Sequence, residues 1–97
     1  MFKIQFSDEA DKQMNELENS PHLIKRLKSV NKVLACLETN PRHPGLHTHK
    51  NCSIETNLKE EIFQSYAQNK TPGAYRVFWY YGPGKKVITI LAIIPHP

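Results

Sequence analysis

The chain has 97 residues, 39% of them hydrophobic and 23% charged, with a net charge of +4 and a pI near 9.2. This is the make-up of one globular domain, expected over residues 1–97, and it excludes a disordered or fibrous chain. The longest uncharged apolar run, residues 87–95, is under half of the roughly 20 residues a membrane helix needs.

At the start, Phe2, Ile4 and Phe6 alternate with Lys3 and Gln5, the period of a half-buried strand. No apolar h-region precedes or follows them, so no signal peptide is expected and the address read is cytoplasmic. Cys36 and Cys52 then form no disulfide framework and are expected as thiols. Ser7 predicts an N-cap, with Asp8, Glu9 and Asp11 on the first turn, where a helix dipole favours negative charge. Ala10, Met14 and Leu17 give this helix one narrow inward stripe. Asn19-Ser20-Pro21 ends it and predicts a second helix over 21–38, capped by Ser20 with Pro21 at its first position. Leu23, Leu27, Val30, Leu34 and Leu37 are its predicted seam, and Thr39-Asn40-Pro41 its stop. Residues 39–57 read as loop. Strands are predicted over 61–68, 74–81 and 87–94, the last two joined by the Gly82-Pro83-Gly84-Lys85 turn. The last is apolar on both faces and belongs inside a sheet. The expected fold is α+β: a β-α-α-β-β-β chain making a curved antiparallel sheet with a helical hairpin on one face. The sequence leaves open which sheet edge the first strand joins.

Charge is unevenly spread. Residues 1–38 carry six bases and six acids, whereas residues 62–97 carry Lys70, Arg76, Lys85 and Lys86 and no acid. Residues 39–53 add Arg42, Lys50, His43, His47 and His49, again without an acid. A basic half of this kind attracts phosphate and makes nucleic acid the first ligand class to consider; the plain alternative is a solvated cationic face. In strand 74–81, alternation puts Tyr75, Val77, Trp79 and Tyr81 on one face and Arg76, Phe78 and Tyr80 on the other. With the Val/Trp face against the helices, Arg76 stands on the open face, where a guanidinium grips phosphate bidentately. The alternative is a guanidinium paired with Glu38 or Glu61. His96, just past the last strand, is the candidate general acid or base, against a chain-end histidine with no role. Lys50, His47, His49, Tyr80 and Lys85 are the further candidate phosphate contacts. His43, His47, His49 and Cys52 match no structural-zinc spacing, so no metal is expected. No Gly-rich phosphate loop, Gly-x-Ser-x-Gly elbow or paired catalytic carboxylate is present, and no cofactor is expected.

The starting strand, the helical hairpin ending Leu37-Glu38-Thr39-Asn40-Pro41, the loop with Gly45-Leu46 and Lys50, and Ala74-Tyr75-Arg76-Val77-Phe78-Trp79-Tyr80 before an Ile/Val-rich strand resemble the RelE/ParE toxin superfamily along nearly the whole chain. The resemblance implies the toxin of a type II toxin–antitoxin pair, with a cognate antitoxin as partner and no membrane. RelE- and YoeB-like members cut mRNA on the ribosome by attack of a ribose 2′-hydroxyl on its own 3′-phosphate. On that pattern Arg76 falls on the arginine that stabilises the scissile phosphate, His96 near the terminal histidine of YoeB-like members, and Lys50 in the loop that holds a lysine in RelE-like ones. The chain departs from the pattern by ending His96-Pro97 without a terminal tyrosine, and by having Ile93-Ile94-Pro95 where RelE-like members carry an arginine. The alternatives implied are a ParE-like inhibitor of DNA gyrase without catalysis, or an inactive member that only binds antitoxin.

Overall fold

A computed structural model describes residues 1–50, 60–67 and 74–95. In chain order they form β1 (Lys3–Phe6), α1 (Asp8–Glu18), α2 (Ile24–Thr39), β2 (His49–Lys50), β3 (Phe63–Tyr66), β4 (Tyr75–Tyr81) and β5 (Val87–Pro95), with single 3₁₀ turns at Pro21–Leu23 and Pro44–Leu46.

Ser7 caps α1 by accepting the Ala10 N–H at 3.1 Å. The same hydroxyl donates to the Leu91 carbonyl at 2.9 Å, and the Ser7 N–H donates to the Ile90 carbonyl at 2.9 Å. One residue thus starts the helix and ties it to the far end of the chain. Ser20 behaves differently from expectation. It precedes the 3₁₀ turn without a side-chain cap, its hydroxyl donating back to the Glu16 carbonyl at 2.7 Å. The α-helical part of the second helix therefore begins at Ile24, and the change of pitch rotates the seam. Val30, Val33 and Leu37 are the buried residues of α2, while Leu23, Leu27 and Leu34 border the core.

The sheet order is β1-β5-β4-β3-β2. The α+β class with a helical layer stands, and β5 is interior; the sheet, however, is mixed, because β1 pairs with β5 in parallel while the other pairs are antiparallel. The parallel pair arises because β1 is tied at its start. Phe2 N–H donates to the Glu38 carbonyl near the end of α2 at 2.8 Å, and Lys3 N–H donates to the Lys86 carbonyl at 2.7 Å, just before β5. Both strands therefore set out from the same end. Between Phe78 and Trp79 the register against β5 slips, Phe78 facing Ala92 and Trp79 facing Ile90. Leu91 is the extra residue of this β-bulge, and its carbonyl is the one Ser7 holds. The bulge rephases β5, so that Ile88, Ile90 and Ile93 all enter the core. Past the end of β1, α1 finishes the edge of β5: Gln13 Oε1 accepts the Ile93 N–H at 2.6 Å, and Pro95 offers no N–H at all.

The core lies between the helices and one sheet face. Ala10, Leu17, Val30, Val33 and Leu37 meet Leu46, Val77, Trp79, Ile88, Ile90 and Ile93 there. Trp79 stacks on Phe63 at 4.9 Å and meets Tyr81 edge-on at 5.0 Å. Its indole N–H donates to the Ser65 hydroxyl at 2.9 Å, and Ser65, fully buried, lies 2.8 Å from the Thr48 hydroxyl. Every polar atom in this relay is paired, as burial requires.

Candidate anion site on the open sheet face

Thr48 reaches the core through Ser65, and its neighbour His49 alternates to the opposite side of the sheet. Register fixes the rest. His49 faces Gln64, Gln64 faces Phe78, Tyr66 faces Arg76, and Arg76 faces Ile94. Cross-strand partners share a face, so His49, Gln64, Tyr66 and Arg76 lie together on the side away from the helices.

Their geometry is closely organised. The Arg76 guanidinium carbon stands 5.5 Å from the Tyr66 ring centroid, and the His49 ring 5.9 Å from it. Arg76 Nη1 donates to Gln64 Oε1 at 3.2 Å, while Gln64 Nε2 is 3.4 Å from the Tyr66 hydroxyl. Arg76 Nε is buried and has no hydrogen-bond partner. Among the described residues no carboxylate pairs with Arg76; the ion pair found there is Lys50 with Glu61 at 2.8 Å. The guanidinium is thus held on a strand by a ring and an amide, desolvated in part, with N–H capacity unfilled. A buried N–H left in that condition is costly, and a guanidinium fork binds the paired oxygens of a phosphate or carboxylate through two parallel hydrogen bonds.

The other residues singled out from sequence separate into distinct places. His49 joins the Arg76 cluster. Lys50, facing Phe63 in the register, alternates to the helix side and is exposed beside Glu61. His47 is exposed, in the left-handed region at φ 48, closing the Pro44–Leu46 turn. Tyr80 shares the Arg76 face, facing Thr89 near the hairpin end. Lys85 sits exposed in the turn beyond Tyr81, some 16 Å or more along β4 from Arg76 at about 3.3 Å per residue. His96 and Cys52 lie outside the described residues. β5 ends at Pro95, facing Tyr75, one position past the partner of Arg76. Phe78, also on the Arg76 face, is 3% exposed, so that face is not evenly solvated. Among the described residues no group of three or more His, Cys, Asp or Glu is placed to hold a metal.

Sequence reasoning did not single out Tyr66 and Gln64. Neither carries a motif, and only their register opposite Arg76 and Phe78 marks them.

No protein-family model matches the chain, and no curated protein matches it significantly. Solved structures do. The YoeB dimer of Staphylococcus aureus aligns over 99% of this chain and 98% of its own at 17% identity, TM-score 0.65. A YoeB/ParE toxin from Agrobacterium tumefaciens aligns over 99% and 100% at 5% identity, TM-score 0.72. The archaeal RelE of the RelE–RelB complex from Pyrococcus horikoshii OT3 aligns over 97% and 93% at 17% identity, TM-score 0.65. At such identities the shared property is the fold, and it extends over the entire domain.

Proposed function

We propose that the chain is the toxin of a type II toxin–antitoxin pair and cleaves mRNA on the ribosome. The observation that carries this reading is the Arg76 guanidinium, buried at Nε without a partner and propped on Tyr66 and Gln64. The likeness in fold to the Agrobacterium YoeB/ParE toxin and to the archaeal RelE–RelB complex supports it. Arg76 grips two non-bridging oxygens of the scissile phosphate and neutralises the charge that builds on them. His49 removes the proton from the ribose 2′-hydroxyl. The freed oxygen bonds to phosphorus, the phosphorus–O5′ bond breaks, and O5′ leaves with the electron pair. His96, which follows Pro95 in sequence, gives that oxygen its proton. The products are a cyclic 2′,3′-phosphate and a 5′-hydroxyl.

General acid–base help contributes about 10²–10⁴-fold and charge stabilisation a similar factor, so two histidines and one arginine suffice without a metal. Purified protein added to translating ribosomes should yield mRNA ends bearing 5′-hydroxyl groups. Arg76→Ala should slow their appearance by about 10²–10³-fold. An unaltered rate removes this mechanism, and inhibition of gyrase supercoiling by the same protein would then replace it. The expected partner is an acidic, amphipathic antitoxin segment that folds on the basic domain; a small acidic protein found in the adjacent reading frame should form a stable complex on co-expression. The proposed place of action is the cytoplasm.

A further inference from the structure

At the opposite end of β4 from Arg76, and on the helix side of the sheet, a groove of about 360 Å³ is lined by Phe2, Tyr81, Thr39, Asn40, Pro41 and Arg42. Its aromatic wall is built, not incidental. Tyr81 is 39% exposed, yet its ring is braced by Phe2 at 5.9 Å, Phe63 at 5.7 Å and Trp79 at 5.0 Å. The rim is cationic. Arg42 is a lining residue, and Lys86 Nζ lies 4.9 Å over the Phe2 ring. Lys86 takes the left-handed backbone conformation at φ 59, and its carbonyl is held by the Lys3 N–H. An L side chain rarely adopts that conformation, and here it accompanies an ammonium laid on the groove wall. Among the described residues no carboxylate lines the groove; the nearest acid in sequence, Glu38, gives Phe2 its carbonyl.

We infer that this groove is a second binding site, for one nucleotide of a single-stranded nucleic acid. A base stacks on the braced Tyr81 ring while Arg42 and Lys86 take the flanking phosphate. Preformed aromatic faces beside backbone-tracking cations are what sequence-tolerant single-strand binding requires. Tyrosine and arginine also anchor protein interfaces, but the cationic rim, with no acid among the described lining residues, matches a phosphate chain. The inference shares its ligand class with the proposed mRNA cleavage but rests on different residues.

The test is run in the Arg76→Ala background, so that the open-face receptor does not contribute. A fluorescent 2′-O-methyl oligoribonucleotide of about eight nucleotides, inert to 2′-hydroxyl attack, is titrated by anisotropy. Tyr81→Leu should weaken binding at least about fivefold, whereas Tyr81→Phe, which keeps the ring, should bind as the parent does and shows that the change is not one of folding. Arg42→Ala and Lys86→Ala together should flatten the slope of log affinity against log salt by about 0.7, the share of one phosphate. Unchanged affinity in Tyr81→Leu together with an unchanged salt slope overturns the inference. So does displacement of nothing by oligonucleotide while an acidic aromatic peptide binds, which assigns the groove to a protein. Either result leaves the cleavage assay of Arg76→Ala untouched, so the two readings fail separately.

Discussion

On the helix-facing side of the sheet, Val77, Trp79, Ile88, Ile90 and Ile93 are all at or below 1% exposed, and the polar atoms of Ser65, Thr48 and the Trp79 indole are paired with one another. On the reverse side, three strands of the same sheet hold an arginine whose Nε is buried and unpartnered, beside a tyrosine, a glutamine and a histidine. At the centre of the first side, among the described residues, each buried polar side-chain atom finds a partner within the protein. The second leaves one group, Arg76 Nε, buried without a partner, which is costly. The packed centre of one face is closed on itself, and the other face carries the guanidinium on which the proposed function rests.

The comparison can be broken by mutation. Trp79→Ala removes the centre of the packed side and should cost about 3–5 kcal/mol, a large share of the stability of so small a domain; urea denaturation followed by circular dichroism measures it. Ser65→Ala leaves the indole N–H buried and unpaired, for about 1–3 kcal/mol in the same experiment. Ser7→Ala deletes the α1 cap and the tie to the bulged Leu91 carbonyl, and should cost about 1 kcal/mol. Arg76→Met sharpens the contrast. It exchanges an orphaned N–H for apolar volume, so the melting temperature should hold or rise while mRNA cleavage is lost; a large fall in melting temperature would place Arg76 with the structural face. Smallest of all, Lys50→Ala breaks an exposed pair with Glu61, and a double-mutant cycle should return about 0.2–1 kcal/mol, shrinking with salt.

Much of the fold was legible before any coordinates. Alternation at Phe2 and Ile4, the Ser7 cap with acids on the first turn, and the apolar run of β5 are local signals, because strand period, capping chemistry and propensity act over a few residues; Phe6, the third residue of that alternation, is exposed at the end of β1 instead. Alternation in β4 also separated Arg76 from Trp79. The parallel pairing of β1 was not legible, nor was the seam of α2, nor the bulge at Leu91. Each depends on contacts between residues far apart in sequence, such as Lys3 with Lys86 or Ser7 with Leu91. Of the candidate site, sequence supplied Arg76 and His49 as chemistry-bearing residues, and grouped with them Lys50 and Lys85, which the fold sets elsewhere.

By itself, then, the sequence determined which segments become helix or strand apart from β2, which lies inside the expected loop 39–57, which face of β4 is apolar, and that the basic charge gathers in the half without acids, since these follow from residue type and short-range spacing. Only the tertiary structure decided that Tyr66 and Gln64 cradle Arg76, that Lys50 turns to the other side of the sheet, and that Tyr81 closes a groove with Arg42. Cross-strand register and loop closure bring such residues together, and no periodicity along the chain encodes that distance.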